Sequence, residues 1–342
     1  MKILVDLIHP ANYHYFKNFI SEMENSNHEV YVTARDKDVL YDLLKKSGRK
    51  FSPMGRPLPG FIGKVLFTFF AELRFLLYSC NLKPDLFISF SSSYVAHTSF
   101  LVNRPHITFD DTEHAHLNRK LYAPFTDYIF TPSSFNLELG DKHIKFNGNM
   151  ELAYLHEEIF KPDIRIYDDL GIDAGTQYII IRLVSWDAAH DLGQNGITMK
   201  MLSSLLKFLS KDYKIFISSE SPLPFKFRQY KLPVSPQKIH NVLYYSSLYI
   251  GEGATMASES AILGTPSIYV NTLTAGTIDE QEKFGLLFRA FNNKTLFESL
   301  KKILEIGLLS KQWASRKKFY LESKVNLTEY LVNFVNKEYV NG

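Results

Sequence analysis

The chain has 342 residues, a length that suits two domains. Its formal net charge of +3, with 22% charged and 45% hydrophobic residues, excludes bulk disorder, and its basic residues form no stripe of the kind that nucleic acid requires. One cysteine, Cys80, excludes an internal disulfide and fits a reducing, cytoplasmic setting.

Strand and helix patterns alternate from the first residue. Ile3–Leu7 is an apolar run broken by Asp6 alone, like a strand buried on both faces of a parallel sheet. The opening MKILVDLIHP lacks the apolar region and small-residue cleavage site of a secretory signal. Asn12 is placed to cap a helix whose apolar face is Tyr13, Phe16, Phe19, Ile20 and Met23. Glu29–Ala34 reads as the next strand, and residues 36–47 as a helix stopped by Gly48. Phe61–Cys80 matches a membrane span in length, but Lys64, Glu72 and Arg74 interrupt it, and charges are costly at bilayer depth. It reads as a core helix in which Cys80 is a buried, inert thiol. Peripheral docking of its Phe and Leu residues on a membrane surface is the alternative. Leu86–Phe90, Ile107–Phe109 and Tyr128–Thr131 continue the strand series.

Over residues 147–170 the pattern breaks into Gly, Pro and polar groups, which predicts a domain connection and domains 1–150 and 151–342. A second series follows: strand 177–184, helix 198–210, strands 213–218 and 247–250, helix 255–263 and strand 267–270. Residues 294–306 and 311–340 read as helices, the last crossing back to the first domain. Lys311–Lys318 reads as a solvated helix face, with contact to an anionic surface as the alternative. Such alternation predicts an α/β protein with a mostly parallel sheet in each half. Ligands in open α/β sheets bind outside the carboxyl ends of the strands, so the loops after strands are the candidate sites.

Four loops carry candidate chemistry. In Gly251–Pro266 an apolar strand runs into Gly251-Glu252-Gly253 and a helix opens near Thr255. Glycine permits close backbone approach and unusual dihedrals. The helix start at Ala254, Thr255 and Met256 offers N–H groups and a positive dipole end to a phosphate, and Glu259, a turn further on, suits a ribose diol. The second loop is Asp110-Asp111-Thr112-Glu113-His114, after strand 107–109. Here Asp110, Asp111, Glu113 or His114 is the candidate general base, and crowded like charges raise one carboxylate's pKa. The bland alternative is a helix cap with first-turn acids. The third loop holds Asp6, His9, Asn12 and His14; His9 and His14 suit proton transfer near neutral pH, with capping and packing as the alternative. The fourth is Arg182–Asp191, where Arg182 suits a phosphate or pairs with an acid such as Asp187. There Ser185 and His190 are further diphosphate contacts, and Trp186 offers a stacking surface. Serines 89 and 91–93 form a small turn without a hydrolase elbow around it. Histidines 28, 97, 106, 143, 156 and 240 show no metal-ligand spacing.

Gly251–Pro266 resembles the nucleotide-binding segment in the C-terminal domain of GT-B glycosyltransferases: a Gly-rich turn, a helix whose Glu holds the ribose, and a G-x-P strand entry. Residues 83–135, from KPDLFISF through the DDTEHA segment to TPSSF, resemble the matching stretch of the N-acetylglucosaminyltransferases that make the peptidoglycan lipid precursor. The opening segment, DDTEHA and the Gly251 segment together resemble a GT-B-like family known only as a domain of unknown function. The resemblance implies two Rossmann-like domains whose parallel sheets face a central cleft. It implies a nucleotide-sugar donor, UDP-linked by analogy, held by the second domain, and a sugar or lipid-linked acceptor on the first. It also implies no metal and no other cofactor, and a place in cell-surface polysaccharide or glycolipid synthesis at the inner face of a membrane. Two departures stand out. RLVSWDAAHDLGQNG, Arg182–Gly196, replaces the usual Gly-rich loop after the first strand of the second domain. The UDP-N-acetylglucosamine 2-epimerases share the fold, but their paired Glu reads here as Ser258-Glu259-Ser260, and their Arg-led acidic segment reads as NTLTAGTIDEQ. A glycosyltransferase is therefore the first expectation. A nucleotide-sugar epimerase or hydrolase, or a non-catalytic binding protein with the same fold, is the alternative.

Overall fold

The computed structural model describes residues 1–37, 39–56, 61–184, 196–273 and 275–340, with backbone alone over 61–68. The chain divides into two compact units, residues 1–156 with 325–342, and residues 157–324. The first unit thus extends a little beyond residue 150 and takes in the C-terminal segment.

In the first unit the strands and helices alternate as β1 (Lys2–Leu7), α1 (Pro10–Asn25), β2 (Glu29–Ala34), α2 (Leu40–Lys46), β3 (Ser52–Pro53), α3 (Phe61–Leu82) and β4 (Leu86–Phe90). They continue through α4 (Ser93–Leu101), β5 (His106–Phe109), α5 (His116–Tyr122), β6 (Tyr128–Pro132), β7 (His143–Phe146) and α6 (Leu152–Leu155). The seven strands pair in parallel in the order β3-β2-β1-β4-β5-β6-β7. The order reverses between β1 and β4, the topological switch point at which doubly wound folds bind ligands. The central strands are buried on both faces, which is why they read as apolar runs.

Helix α1 begins earlier than Asn12. Pro10 supplies the fixed φ of a first helical residue, so His9 is the N-cap and Asn12 sits at the third position. The two close a capping box: His9 Nδ1 accepts from Ala11 N at 3.2 Å, and Asn12 Oδ1 accepts from His9 N at 3.0 Å. In α3 the buried stripe is Ala71, Phe75 and Ser79, one residue per turn. Cys80 lies off that stripe and is exposed, against the expectation of a buried thiol. Among the described residues no helix is long and apolar enough to cross a membrane.

The second unit runs α7 (Ile166–Leu170), β8 (Tyr178–Leu183), α8 (Met199–Leu209), β9 (Lys214–Ser219), α9 (Ile239–Tyr245), β10 (Leu248–Gly251) and α10 (Ala254–Leu263). It ends with β11 (Ser267–Val270), α11 (Gly276–Lys283), β12 (Leu287–Ala290), α12 (Asn293–Ile306) and α13 (Lys311–Leu321). Its parallel sheet has the order β12-β11-β10-β8-β9, the flavodoxin-like arrangement, with the switch point between β8 and β10. The core joins Ile179, Ile181, Leu202, Leu205, Ile250 and Ile268.

The helix expected over 311–340 is broken. α13 ends at Leu321, and α14 (Leu327–Val335) starts afresh with Asn326 as its N-cap. Between them Val325 N donates to Asn147 O at 2.9 Å, so the chain joins the first unit there. α14 packs on α1 and α6, with Thr328 Oγ1 donating to Ala153 O at 2.8 Å.

Candidate functional site

In the first unit the two loops at the switch point follow β1 and β4. Asp6, near the carboxyl end of β1, is fully buried and accepts from Thr33 Oγ1 at 2.7 Å, from Ser92 Oγ at 3.3 Å and from the Tyr94 hydroxyl. Burial raises its carboxyl above the ordinary value, although these donors and the Arg35 charge pull the other way. The Arg35 guanidinium lies 4.6 Å from the centre of the Tyr94 ring. The network ties β1, β2 and α4 together beneath the loops. His9 is exposed beside it and serves as the cap described above. His14 is half-buried further along α1, with its ring 5.3 Å from Tyr13 and 5.2 Å from Tyr154.

The serine turn after β4 is more constrained than its composition suggests. Ser91 has φ +49°, a left-handed conformation that costs a non-glycine residue about 1–2 kcal/mol. Its N–H donates to Phe109 O and Thr108 Oγ1, its hydroxyl to Phe109 O, and its carbonyl accepts from Asn118 Nδ2 at 2.8 Å. Ser92 spends its hydroxyl on Asp6, so the N-cap of α4 provides no side-chain cap. Ser89 faces the sheet interior, 2.9 Å from His106 Nε2. Burial takes that imidazole down to about 3.

The loop after β5 separates its carboxylates by role. Asp110 is buried and accepts from Arg119 Nε at 3.0 Å, Tyr122 Oη at 2.5 Å and Thr112 N at 2.9 Å. Arg119 also donates to Thr112 O at 2.7 Å. Asp110 and Arg119 therefore anchor the loop to α5. Asp111 has a different setting. Part of its surface stays open, yet protein atoms crowd its carboxyl, and Thr112 Oγ1 donates to it at 2.9 Å. Burial pushes it up to about 7 against the Thr112 hydrogen bond, and the charges of Asp110 and Glu113 add to the rise. Glu113 is half-buried and its carbonyl accepts from Arg119, while His114 is exposed. The acid cluster thus contains one anchor, Asp110, and one carboxylate poised to exchange a proton at neutral pH, Asp111.

In the second unit the switch-point loops follow β8 and β10. Gly251 and Gly253 both have negative φ, so left-handed dihedrals are not their use. A Cβ on Gly251 would collide with the Tyr249 ring and hydroxyl and stand 2.8 Å from Arg182 Cβ; close packing requires this glycine. Gly253 is the N-cap of α10 and has no side chain with which to cap it. The first N–H groups of the helix, at Ala254, Thr255 and Met256, thus receive no hydrogen bond from a cap side chain. One turn on, Glu259 is buried, with Oε1 3.0 Å from His240 Nε2 on α9. Arg182 is paired across the sheet: it donates to Ser218 Oγ at 2.8 Å and to Glu220 Oε1 at 2.7 Å. Ser185, Trp186, Asp187, His190 and Asp191 lie outside the described residues.

Glu252, quoted in the motif without a role, is the residue that sequence reasoning missed. It is buried and accepts from Val184 N at 2.6 Å and from Ile197 N at 2.5 Å. A single carboxylate so fixes both ends of the segment after β8. Its position in a G-x-G turn was the available signal, since a charge between two glycines at a strand end calls for a partner. His240 was read only against metal spacing, and its pairing with Glu259 joins residues far apart in sequence. Among the described residues no group of three His, Cys, Asp or Glu side chains is placed to hold a metal ion.

A family model described as "Protein of unknown function (DUF354)" matches residues 1–294. An uncharacterised protein of Methanocaldococcus jannaschii is 27% identical over 278 residues, 78% of this chain and 81% of its own length. Among solved structures, the UDP-GlcNAc 2-epimerase of Neisseria meningitidis bound to UDP-GlcNAc aligns with a TM-score of 0.72 at 14% identity, covering 99% of this chain and all of the other. The spinosyn rhamnosyltransferase SpnG, complexed with spinosyn aglycone, aligns with a TM-score of 0.68 at 11% identity, covering 98% of this chain and all of the other. At such identities the likeness shows the fold, which is GT-B.

Proposed function

Because the chain belongs to the DUF354 family and has the GT-B fold, we propose that it is an enzyme acting on a nucleotide-activated sugar and transferring that sugar to an acceptor hydroxyl. The observation that carries this reading is the start of α10, where a glycine N-cap leaves N–H groups for a phosphate and the buried Glu259 lies one turn away. A diphosphate at the helix start places the ribose within reach of that carboxylate, and His240 holds the carboxylate in position. UDP is the first nucleotide to test, since neighbours of the same fold carry it.

Asp111 is the proposed general base. It takes the proton of the acceptor hydroxyl as the oxygen attacks the anomeric carbon, and the nucleoside diphosphate leaves with the bonding electron pair. A carboxylate near 7 combines a usable basic fraction with real proton affinity, the compromise that general-base catalysis favours. His9, His14, Glu113 and His114 are secondary candidates, and Asp110 serves to hold the loop. A 2-epimerase reading draws support from the fold neighbours of that activity. Ser258 and Ser260 beside Glu259 weigh against it.

The test is thermal stability in the presence of UDP, GDP, CMP and their sugars. A ligand at 100 times its Kd stabilises the native state by about 2.7 kcal/mol. A selective shift that disappears in Glu259→Ala supports the site, and no shift with any of them overturns it. Product analysis then separates the two reactions. An epimerase converts the nucleotide-sugar alone, whereas a transferase releases nucleoside diphosphate in step with glycosylation of an added acceptor.

A further inference from the structure

The first unit holds a pocket of about 370 Å³. That size lies within the roughly 300–1,000 Å³ of small-molecule sites. Phe100 and Asn103–Pro105, where α4 ends and the chain enters β5, line it together with Pro124–Asp127 ahead of β6 and Lys142 ahead of β7. The pocket therefore sits at the amino ends of these strands. Asp110 and Asp111 follow the carboxyl end of β5, so the length of that strand separates the pocket from the acid loop.

Its frame is fixed before any ligand arrives. Pro105 and Pro124 have a locked φ, and Asn103 adopts φ +51°, a left-handed conformation that Asn tolerates better than most residues. Thr126 Oγ1 donates to His106 O at 3.1 Å, and Asp127 Oδ2 accepts from His106 N at 2.8 Å, which ties this part of the wall to β5. Lys142 Nζ donates to Thr126 O at 2.7 Å and to Pro124 O at 3.3 Å. Two of its three hydrogens are thus used, and the ammonium is held at the pocket. Groups already in place lose little freedom when a ligand binds.

Three kinds of bonding capacity remain unused in the pocket. The Arg104 guanidinium makes no hydrogen bond or ion pair among the described residues, and Lys142 keeps one hydrogen. Asp127 Oδ1 likewise has no partner among the described residues. Phe100 is 63% exposed, with its ring centre 5.4 Å from that of Phe125 in an edge-to-face pair. Two cations with unused donors select an anion, and the guanidinium fork matches the oxygens of a phosphate. The open carboxylate oxygen of Asp127 accepts a hydroxyl hydrogen, and the Phe100 ring offers an apolar surface to the carbon face of a ring. A sugar phosphate supplies all three partners. We propose that this pocket binds a sugar phosphate at a site separate from the proposed reaction site, with the phosphate on Arg104 and Lys142, a sugar hydroxyl on Asp127 and the sugar ring against Phe100.

The test is titration calorimetry of the full chain with glucose 6-phosphate, UMP, inorganic phosphate and glucose. At least one of the two sugar phosphates is expected to bind more tightly than inorganic phosphate, and glucose not to bind. Glucose 6-phosphate and UMP distinguish a free sugar phosphate from a nucleoside monophosphate as the source. Arg104→Gln should weaken the binding about tenfold or more, the loss of a charge-assisted contact. Phe100→Ser should weaken sugar phosphate but leave inorganic phosphate unchanged. Both positions are exposed, so thermal unfolding should stay as in the unaltered chain. A Phe100→Trp protein gives a second readout, since the bound sugar phosphate should change its indole emission. Absence of binding by both sugar phosphates overturns the proposal, as does equal affinity for inorganic phosphate. Binding that survives Arg104→Gln but is lost in Glu259→Ala also overturns it, because the ligand would then occupy the start of α10.

Discussion

Replacing Asp111 by Asn should stabilise the protein at alkaline pH while removing its activity. The unfolded carboxyl titrates near its ordinary 3.8 and the folded one at about 7. Between those values the folded state holds the extra proton, so stability falls as pH rises through this window and stays low above it. At 1.36 kcal/mol per pH unit, the displacement from 3.8 to about 7 disfavours the ionised native state by about 4 kcal/mol. Part of the side chain still touches water, which reduces the figure to about 2–4 kcal/mol. Asn has the same shape and keeps an oxygen for Thr112, but it has no charge to desolvate. Scanning calorimetry at about pH 4 should therefore find the two proteins alike, and at about pH 8 the Asn protein more stable by that amount. Calorimetry suits a chain of two compact units, because their transitions can separate. The same substitution should lower kcat/KM by about 10²–10⁴ and remove an acidic limb near pH 7 from the pH–rate profile. An Asn protein no more stable than the parent at the higher pH would refute the raised pKa, and the assignment of the base would go with it.

Two further substitutions probe the scaffold of the sites. Arg119→Met leaves Asp110 buried without its cation and should destabilise by about 3–5 kcal/mol in urea unfolding, with most of the loss recovered by adding Asp110→Asn; a loss below about 1 kcal/mol would show that the pair does not anchor the loop. Gly251→Ala should cost about 1–3 kcal/mol through overpacking, and Tyr249→Phe should relieve part of it by removing the nearest hydroxyl. An equal loss in both backgrounds would place the collision elsewhere.

Much of the architecture was legible in the sequence because it rests on local patterns. Apolar runs such as Ile3–Leu7 and Tyr178–Leu183 announce strands buried on both faces, and helical spacing in α1 announces its core side. The edge strands β3 and β7 were missed: Ser52–Pro53 is too short for a period, and His143–Phe146 mixes polar and apolar groups. β12 was missed likewise, its four residues including Arg289. The last helix was read as continuous because no proline or glycine interrupts 322–326. The local signal for the break was Asn326, which caps α14 by accepting from Glu329 N at 3.3 Å, while the Val325 N–H is taken by Asn147 O.

The candidate sites divide along the same line. By itself the sequence singled out the candidate loops, because strand ends, glycines and acid clusters are contiguous, and it determined the family, whose motifs are contiguous too. Tertiary structure decided how each candidate side chain is engaged. Asp110 and Asp111 are neighbours in sequence and the same amino acid, yet Arg119 and Tyr122 occupy one while burial raises the other to about 7. Arg182 gained Glu220 as its partner, Glu259 gained His240, and Glu252 gained the two ends of another loop. Charge, burial and hydrogen-bond supply come from groups brought together by the fold. Residue type sets what a side chain can do, and these surroundings set which of its protonation states and partners prevails.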